Sequence, residues 1–210
     1  MINSLSNSKC GIIKQDKANP LQKGTVKTAS SAMTDGFVQQ IETLAKRDAQ
    51  KGIYMDKGYL QLQRSQMKQY VSPDRSGPMN QVTQVMQEVA KEDDPLLELL
   101  TSLLRRLSGK VQHMNGQTFV SLSRMSGNCS ANIHSNSCGQ TAEVCSPNGE
   151  VIASYNSNGG GWTVVQTKEE LDFQSQADSV YAQAFRAARA EIKAQSLNPQ
   201  IVSASIDIQA

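Results

Sequence analysis

The sequence predicts an α+β fold, with about four N-terminal helices, a small antiparallel β-meander, and a long C-terminal helix packed on the meander. Apolar residues recur at helical spacing through residues 35–107. Three Asn-Gly dipeptides follow, each a strong hairpin signal, at Asn115-Gly116, Asn148-Gly149 and Asn158-Gly159. A second helical stretch starts near residue 167. Because the strands stand in one block and do not alternate with helices, the order argues against a parallel βαβ sheet.

Charge and hydropathy exclude two classes of protein. The chain has 210 residues, with 21 Lys and Arg against 19 Asp and Glu, so its net charge is +2. A dedicated nucleic-acid-binding protein normally shows a clear basic excess. The excess that exists lies in residues 1–77, which hold 12 basic and 6 acidic side chains. No run of eighteen apolar residues occurs, so we expect no membrane span.

Residues 1–34 are polar and aperiodic, which predicts a flexible tail. A helical region is expected over 35–109. Its first helix should begin with Asp35 as N-cap and end at Gly52 in the C′ position. A second helix starts near Asp56, and the Pro- and Gly-containing segment 72–78 breaks the pattern before a third helix at 80–92.

The fourth helix is the most apolar part of the chain. Asp94 as N-cap and Pro95 at the first helical position predict its start, and Gly109 is expected to close it. Its leucines cover more than half of the helix circumference, so we expect burial on two sides or contact with another chain. They are Leu96, Leu97, Leu99, Leu100, Leu103, Leu104 and Leu107.

The predicted second region, 110–195, combines a meander of four to six strands with the long helix. Thr167 and Glu170 form a capping box at the start of that helix. Its alanine-rich second half is narrow, so another helix or the sheet can approach closely. Residues 196–210 are predicted to be a C-terminal tail, either an edge strand or loose.

Three segments carry a family resemblance, namely Ile53-Tyr54-Met55 with the later residues 70–76, then residues 154–163, and residues 181–191. They include Tyr70-Val-Ser-Pro-Asp-Arg-Ser76, Ser154-Tyr-Asn-Ser-Asn-Gly-Gly-Gly-Trp-Thr163 and Tyr181-Ala-Gln-Ala-Phe-Arg-Ala-Ala-Arg-Ala-Glu191. Together they resemble uncharacterised proteins of anaerobic Firmicutes and related Clostridia, grouped as domains of unknown function. The resemblance covers roughly residues 35–75 and 140–195 and implies a bacterial origin. It brings no activity and no catalytic residues.

Three of the four cysteines lie close together in the sequence. Two functional interpretations of this cluster stay open. Cys129, Cys138 and Cys145 surround His134. They could form a zinc site that stabilises the meander, or a Cys/His-dependent small hydrolase or modifying enzyme. The spacing lacks the closely paired cysteines of a zinc hook, so the pattern favours ordinary strand cysteines in a reducing compartment. We predict no catalytic residue, metal ligand or cofactor.

The sequence therefore favours a non-enzymatic interaction or structural accessory protein of a bacterium or its phage. It would bind a protein partner, or a second copy of itself, through the leucine-rich helix, the edge of the meander or the loop at 72–78. The candidate partner-binding residues are Asp74, Arg75, Leu96, Leu100, Leu103, Leu104, and Arg186 and Arg189 on the last helix. The N-terminus has no secretory signal pattern, which predicts a cytoplasmic protein, with signal-peptide-independent export as the alternative.

Overall fold

A computed structural model describes residues 28–91 and 96–197 of the chain. The described residues form two compact units. The sheet unit comprises residues 73–167, and the helical unit combines residues 28–72 with residues 168–197. Within these ranges, none of the helices combines the length and the apolar character that a membrane crossing requires.

The elements have the following bounds in chain order. The helices are α1 (Ala29–Ala32), α2 (Asp35–Lys51), α3 (Lys57–Tyr70), α4 (Ser76–Val89), α5 (Leu96–Arg106) and, after the strands, α6 (Lys168–Leu197). The strands are β1 (Gly109–Met114), β2 (Gln117–Leu122), β3 (Ser130–Asn136), β4 (Gly139–Cys145), β5 (Val151–Asn156) and β6 (Gly161–Val164).

The six strands form one antiparallel sheet in sequential order, β1 to β6. This arrangement confirms the predicted α+β class with an antiparallel meander. Alternate side chains pack against α4 and α5, because successive residues of a strand point to opposite faces. Val120, Ile133 and Val144 form the centre of this core. The only tryptophan, Trp162, donates from its indole N–H to Thr83 Oγ1 of α4 at 3.1 Å.

Helix α6 has its extensive contacts with α2, and further contacts with α1 and α3. The alanine-rich half of α6 predicts close approach by another helix or by the sheet. Among the described contacts of α6, those with helices are present. Phe37 of α2 stacks on Phe173 of α6, with ring centroids 5.6 Å apart. The ring centroids of Tyr59 of α3 and Tyr181 lie 4.2 Å apart in the same core.

Two polar networks cross the core of the helical unit. Tyr181 donates its hydroxyl to Asp48 Oδ2 at 2.8 Å and accepts from the backbone N–H of Met55 at 2.9 Å. Tyr59 donates to Asp178 Oδ1 at 2.6 Å, and Gln63 donates to the same oxygen at 2.7 Å. These bonds compensate for the loss of water around buried polar groups, so they fix the register between α6 and its neighbours.

Several predicted boundaries need correction. The N-cap of α2 is Thr34, whose hydroxyl accepts from Phe37 N–H, so Asp35 is already helical. Helix α4 starts at Ser76, because Pro78 falls in the first turn, where its missing N–H costs no helical bond. Gly109 belongs to β1, and Ser108, with φ 52°, makes the left-handed turn after α5.

The predicted tail and domain division also differ from the structure. Residues 29–32, assigned to the tail, form α1, whose two terminal alanines are buried in the helical unit. Four residues are too short to show helical periodicity, so the sequence pattern could not reveal this turn. The sequence predicts a boundary near residue 109, with α6 in the same region as the strands. In the structure α6 belongs to the helical unit, which is therefore made of two separate stretches of the chain. The predictions for residues 1–27, 92–95 and 198–210 lie outside the described residues.

Candidate functional site

The cysteine and histidine cluster is spread over the sheet unit. Cys129 and Cys145 are buried, whereas Cys138 is exposed in the short connection between β3 and β4. Burial raises the pKa of the Cys129 thiol, and the negative charge of Asp74 raises it further, so the reactive thiolate is disfavoured. His134 stacks on Phe119 at 4.7 Å. Among the described residues, no three metal-ligating side chains come together.

The loop at 72–78 is tied into the sheet unit by its arginine. Arg75 donates from Nε to the carbonyl of Ile152 at 2.9 Å and from Nη2 to the carbonyl of Val165 at 3.0 Å. Asp74 Oδ1 accepts from the amide and the hydroxyl of Ser76, a local turn arrangement. Both predicted binding residues therefore have structural partners, and Arg75 binds the chain where β6 ends.

The leucine-rich helix turns its predicted contact residues inward. Leu100 and Leu104 are buried in the core of the sheet unit, and Leu103 is partly buried against it. Leu96 is the first residue of α5. Leu99, by contrast, is 54% exposed. Since each residue turns a helix by about 100°, Leu99 lies at the flank of the buried face. The part of the leucine stripe that a partner can reach thus includes Leu99.

The basic residues of α6 are exposed near its end. Arg186 donates from Nε to the carbonyl of Ala182, one turn earlier in the same helix. Arg189 and Lys193 line a shallow, open depression with Ile192. These side chains carry positive charge into solvent, and the surface around them has no enclosed shape.

The two edges of the sheet are built differently. Strand β6 has four residues, and Arg75 binds the carbonyl of Val165 directly after it. Strand β1 has six residues and pairs with β2 without a register shift, from Gly109 opposite Leu122 to Met114 opposite Gln117. In the described sheet no strand pairs with the other side of β1. It has no proline and no bulge, and Lys110 is its one charged side chain.

The turn after β1 determines which backbone groups point outward. Asn115 and Gly116 have φ of 53° and 72°, which is the type I′ geometry of a two-residue hairpin loop. Such a turn closes on a hydrogen-bonded pair, here Met114 with Gln117. Bonded and non-bonded pairs alternate along an antiparallel ladder. Val111 and His113 therefore direct their N–H and C=O groups away from β2, along the open edge.

Apolar side chains accompany this edge. Val111 is 37% exposed on the face that packs against α5, and Met114 is 56% exposed on the opposite face. We define the β1 edge surface as the outward backbone of β1 with Val111 and Met114. An edge of this length with little charge protection is a template for strand pairing.

The sequence analysis named the meander edge without identifying its strand. The signal was nonetheless present, because the first strand of an up-and-down meander always lies at an edge. The Asn115-Gly116 turn is also visible in the sequence, and it determines which alternate residues of β1 have outward N–H groups. The sequence could not show that Arg75 would bind at the end of β6, because that contact joins residues 90 positions apart.

Comparisons with protein-family models, with curated proteins and with solved structures give no match for this chain. The resemblance to the clostridial proteins stays a prediction.

Proposed function

We propose that this chain is a non-enzymatic interaction protein that binds a protein partner through the β1 edge surface. The observation that carries the proposal is the contrast between the two sheet edges. The β6 edge is short and Arg75 binds at its end, whereas β1 is a regular strand of six residues whose outer side has no partner strand among the described residues. An extended segment can add to such an edge by main-chain hydrogen bonds, while Val111 and Met114 supply apolar contacts.

The proposal also assigns the protein to a bacterium or phage and to the cytoplasm. The support for the compartment is chemical, because Cys129 and Cys138 form no disulfide with any described residue, and a reducing compartment keeps thiols in this state. Export without a signal peptide is the alternative location. The same edge surface would serve binding in either place.

A pair of substitutions at one position tests the proposal. Val111→Pro removes an outward N–H, and proline is tolerated on an edge strand whose N–H faces solvent. Val111→Ala is the matched control, since it shortens the side chain and keeps the donor. The full-length chain is used as bait in lysate of the source cells, with crosslinking. We expect proteins captured by the wild type to be retained by Val111→Ala and lost by Val111→Pro. Equal capture by a folded Val111→Pro variant would refute strand addition at β1.

A further inference from the structure

We infer that the partner of the β1 edge surface is a second copy of this chain, joined by antiparallel pairing of β1 with β1. The inference rests on the proposed function and specifies its partner. Two copies related by a two-fold axis would form a continuous sheet of twelve strands, twice the six of one chain. The hydrogen bonds would come from Val111 and His113, whose N–H and C=O groups point outward.

The β1 sequence is compatible with pairing to itself. A two-fold axis at Val111 places Lys110 of one copy opposite Gln112 of the other. An axis at Gln112 places Lys110 opposite Met114, and Val111 opposite His113. Both registers bring outward groups together, and neither opposes the two lysines, which would cost stability. Residues 73–167 carry 6 basic and 8 acidic side chains, so long-range repulsion between two copies is weak.

The faces of the sheet match as well. A two-fold axis perpendicular to the sheet keeps the α5-covered faces of both copies on one side. With the axis at Val111, the two Val111 side chains meet on that side, which is the side that α5 covers. Apolar residues from both faces of β1 thus lie at the same edge, and the same surface of each copy takes part, as in an isologous contact.

Mass measurement on the full chain tests this inference. Light scattering after size exclusion should give twice the 22.9 kDa of one chain for the wild type and for Val111→Ala. Val111→Pro removes one donor from each copy, and we expect association at least roughly 100-fold weaker. Circular dichroism checks that the variant is folded.

A second measurement needs no variant. Amide hydrogen exchange at Val111 and His113 should slow as the wild-type concentration rises, whereas the amide of Gln112, bonded to β2, should be protected throughout. A wild-type chain that stays monomeric, with no change in exchange at Val111 and His113, would overturn the dimer. If capture from lysate nevertheless depended on the Val111 amide, the proposed function would stand with a different partner. If capture did not depend on the Val111 amide either, the dimer and the proposed binding function of the β1 edge surface would both be wrong.

Discussion

The Tyr181 hydroxyl is the sharpest single test of how the helical unit is held together. Tyr181→Phe removes one oxygen atom and leaves the ring in place. The change deletes the bond to Asp48 Oδ2 and the bond from Met55 N–H, at 2.8 and 2.9 Å. Arg47 still donates to Asp48 Oδ1 at 3.1 Å, so the carboxylate keeps one of its partners.

The expected loss follows from the two groups left behind. A hydrogen bond to a charged group contributes about 1.5–3 kcal/mol, and an amide deprived of its acceptor costs about 1–3 kcal/mol. Asp48 is fully buried, so water cannot replace the lost donor without rearrangement. We therefore expect Tyr181→Phe to lower the free energy of unfolding by about 3 kcal/mol.

Urea unfolding followed by far-ultraviolet circular dichroism measures this difference. Tyr54→Phe is the matched control, because the Tyr54 ring contacts Tyr181 at 5.6 Å and is half exposed. Its hydroxyl has no hydrogen-bond partner among the described residues, so we expect a change below about 0.5 kcal/mol. If Tyr181→Phe cost no more than this control, the hydrogen bonds would not stabilise the unit as argued.

Three further predictions concern alkaline pH, the sheet edge and the thiols. Burial raises the pKa of Tyr181 to about 12 and also raises that of Tyr59, so the unfolded chain loses protons first as the pH passes 10. Stability should therefore fall between about pH 10 and 12 in a tyrosinate-monitored titration, and a flat profile there would contradict the burial argument. Arg75→Lys cannot span two carbonyls with one ammonium, so fluorescence of the single tryptophan should report a sheet unit less stable by about 1–3 kcal/mol; unchanged stability would make the guanidinium contacts incidental. In the native chain, peptide mapping after brief thiol labelling should find Cys138 modified well before Cys129, and the reverse order would restore Cys129 as a candidate nucleophile.

Sequence patterns predicted the elements better than their assembly. The helix that Gly52 closes, with φ 72°, and the hairpin at Asn115-Gly116 depend on local backbone preferences, which a short segment reveals. The start of α6 at Lys168, directly after Thr167, agrees with the start that the predicted capping box indicates. The partners of these elements depend on contacts between distant residues. Tyr59 and Asp178, 119 positions apart, meet in one core that no local pattern indicates.

The candidate binding surface shows the same limit. The leucine stripe predicts burial of α5 on two sides or contact with another chain. Leu100 and Leu104 cover the sheet with the apolar face of α5, and Leu99 remains exposed at its flank. Periodicity reports how wide an apolar face is, whereas the structure determines whether the same chain covers it.

The discontinuity of the helical unit has a consequence for synthesis on the ribosome. Helices α1 to α3 emerge before the sheet unit, and α6, which supplies Phe173 and Tyr181 to their core, emerges after it. At roughly 5–20 residues per second, translation of residues 73–167 takes on the order of 5–20 s. The sheet unit, contiguous in sequence, has time to fold during this interval, whereas α1 to α3 wait with apolar faces uncovered. The hydrogen bond from Ser72 Oγ to Glu170 then joins the points where the chain leaves and re-enters the helical unit. Termination of translation before α6 would therefore leave the core of the helical unit incomplete.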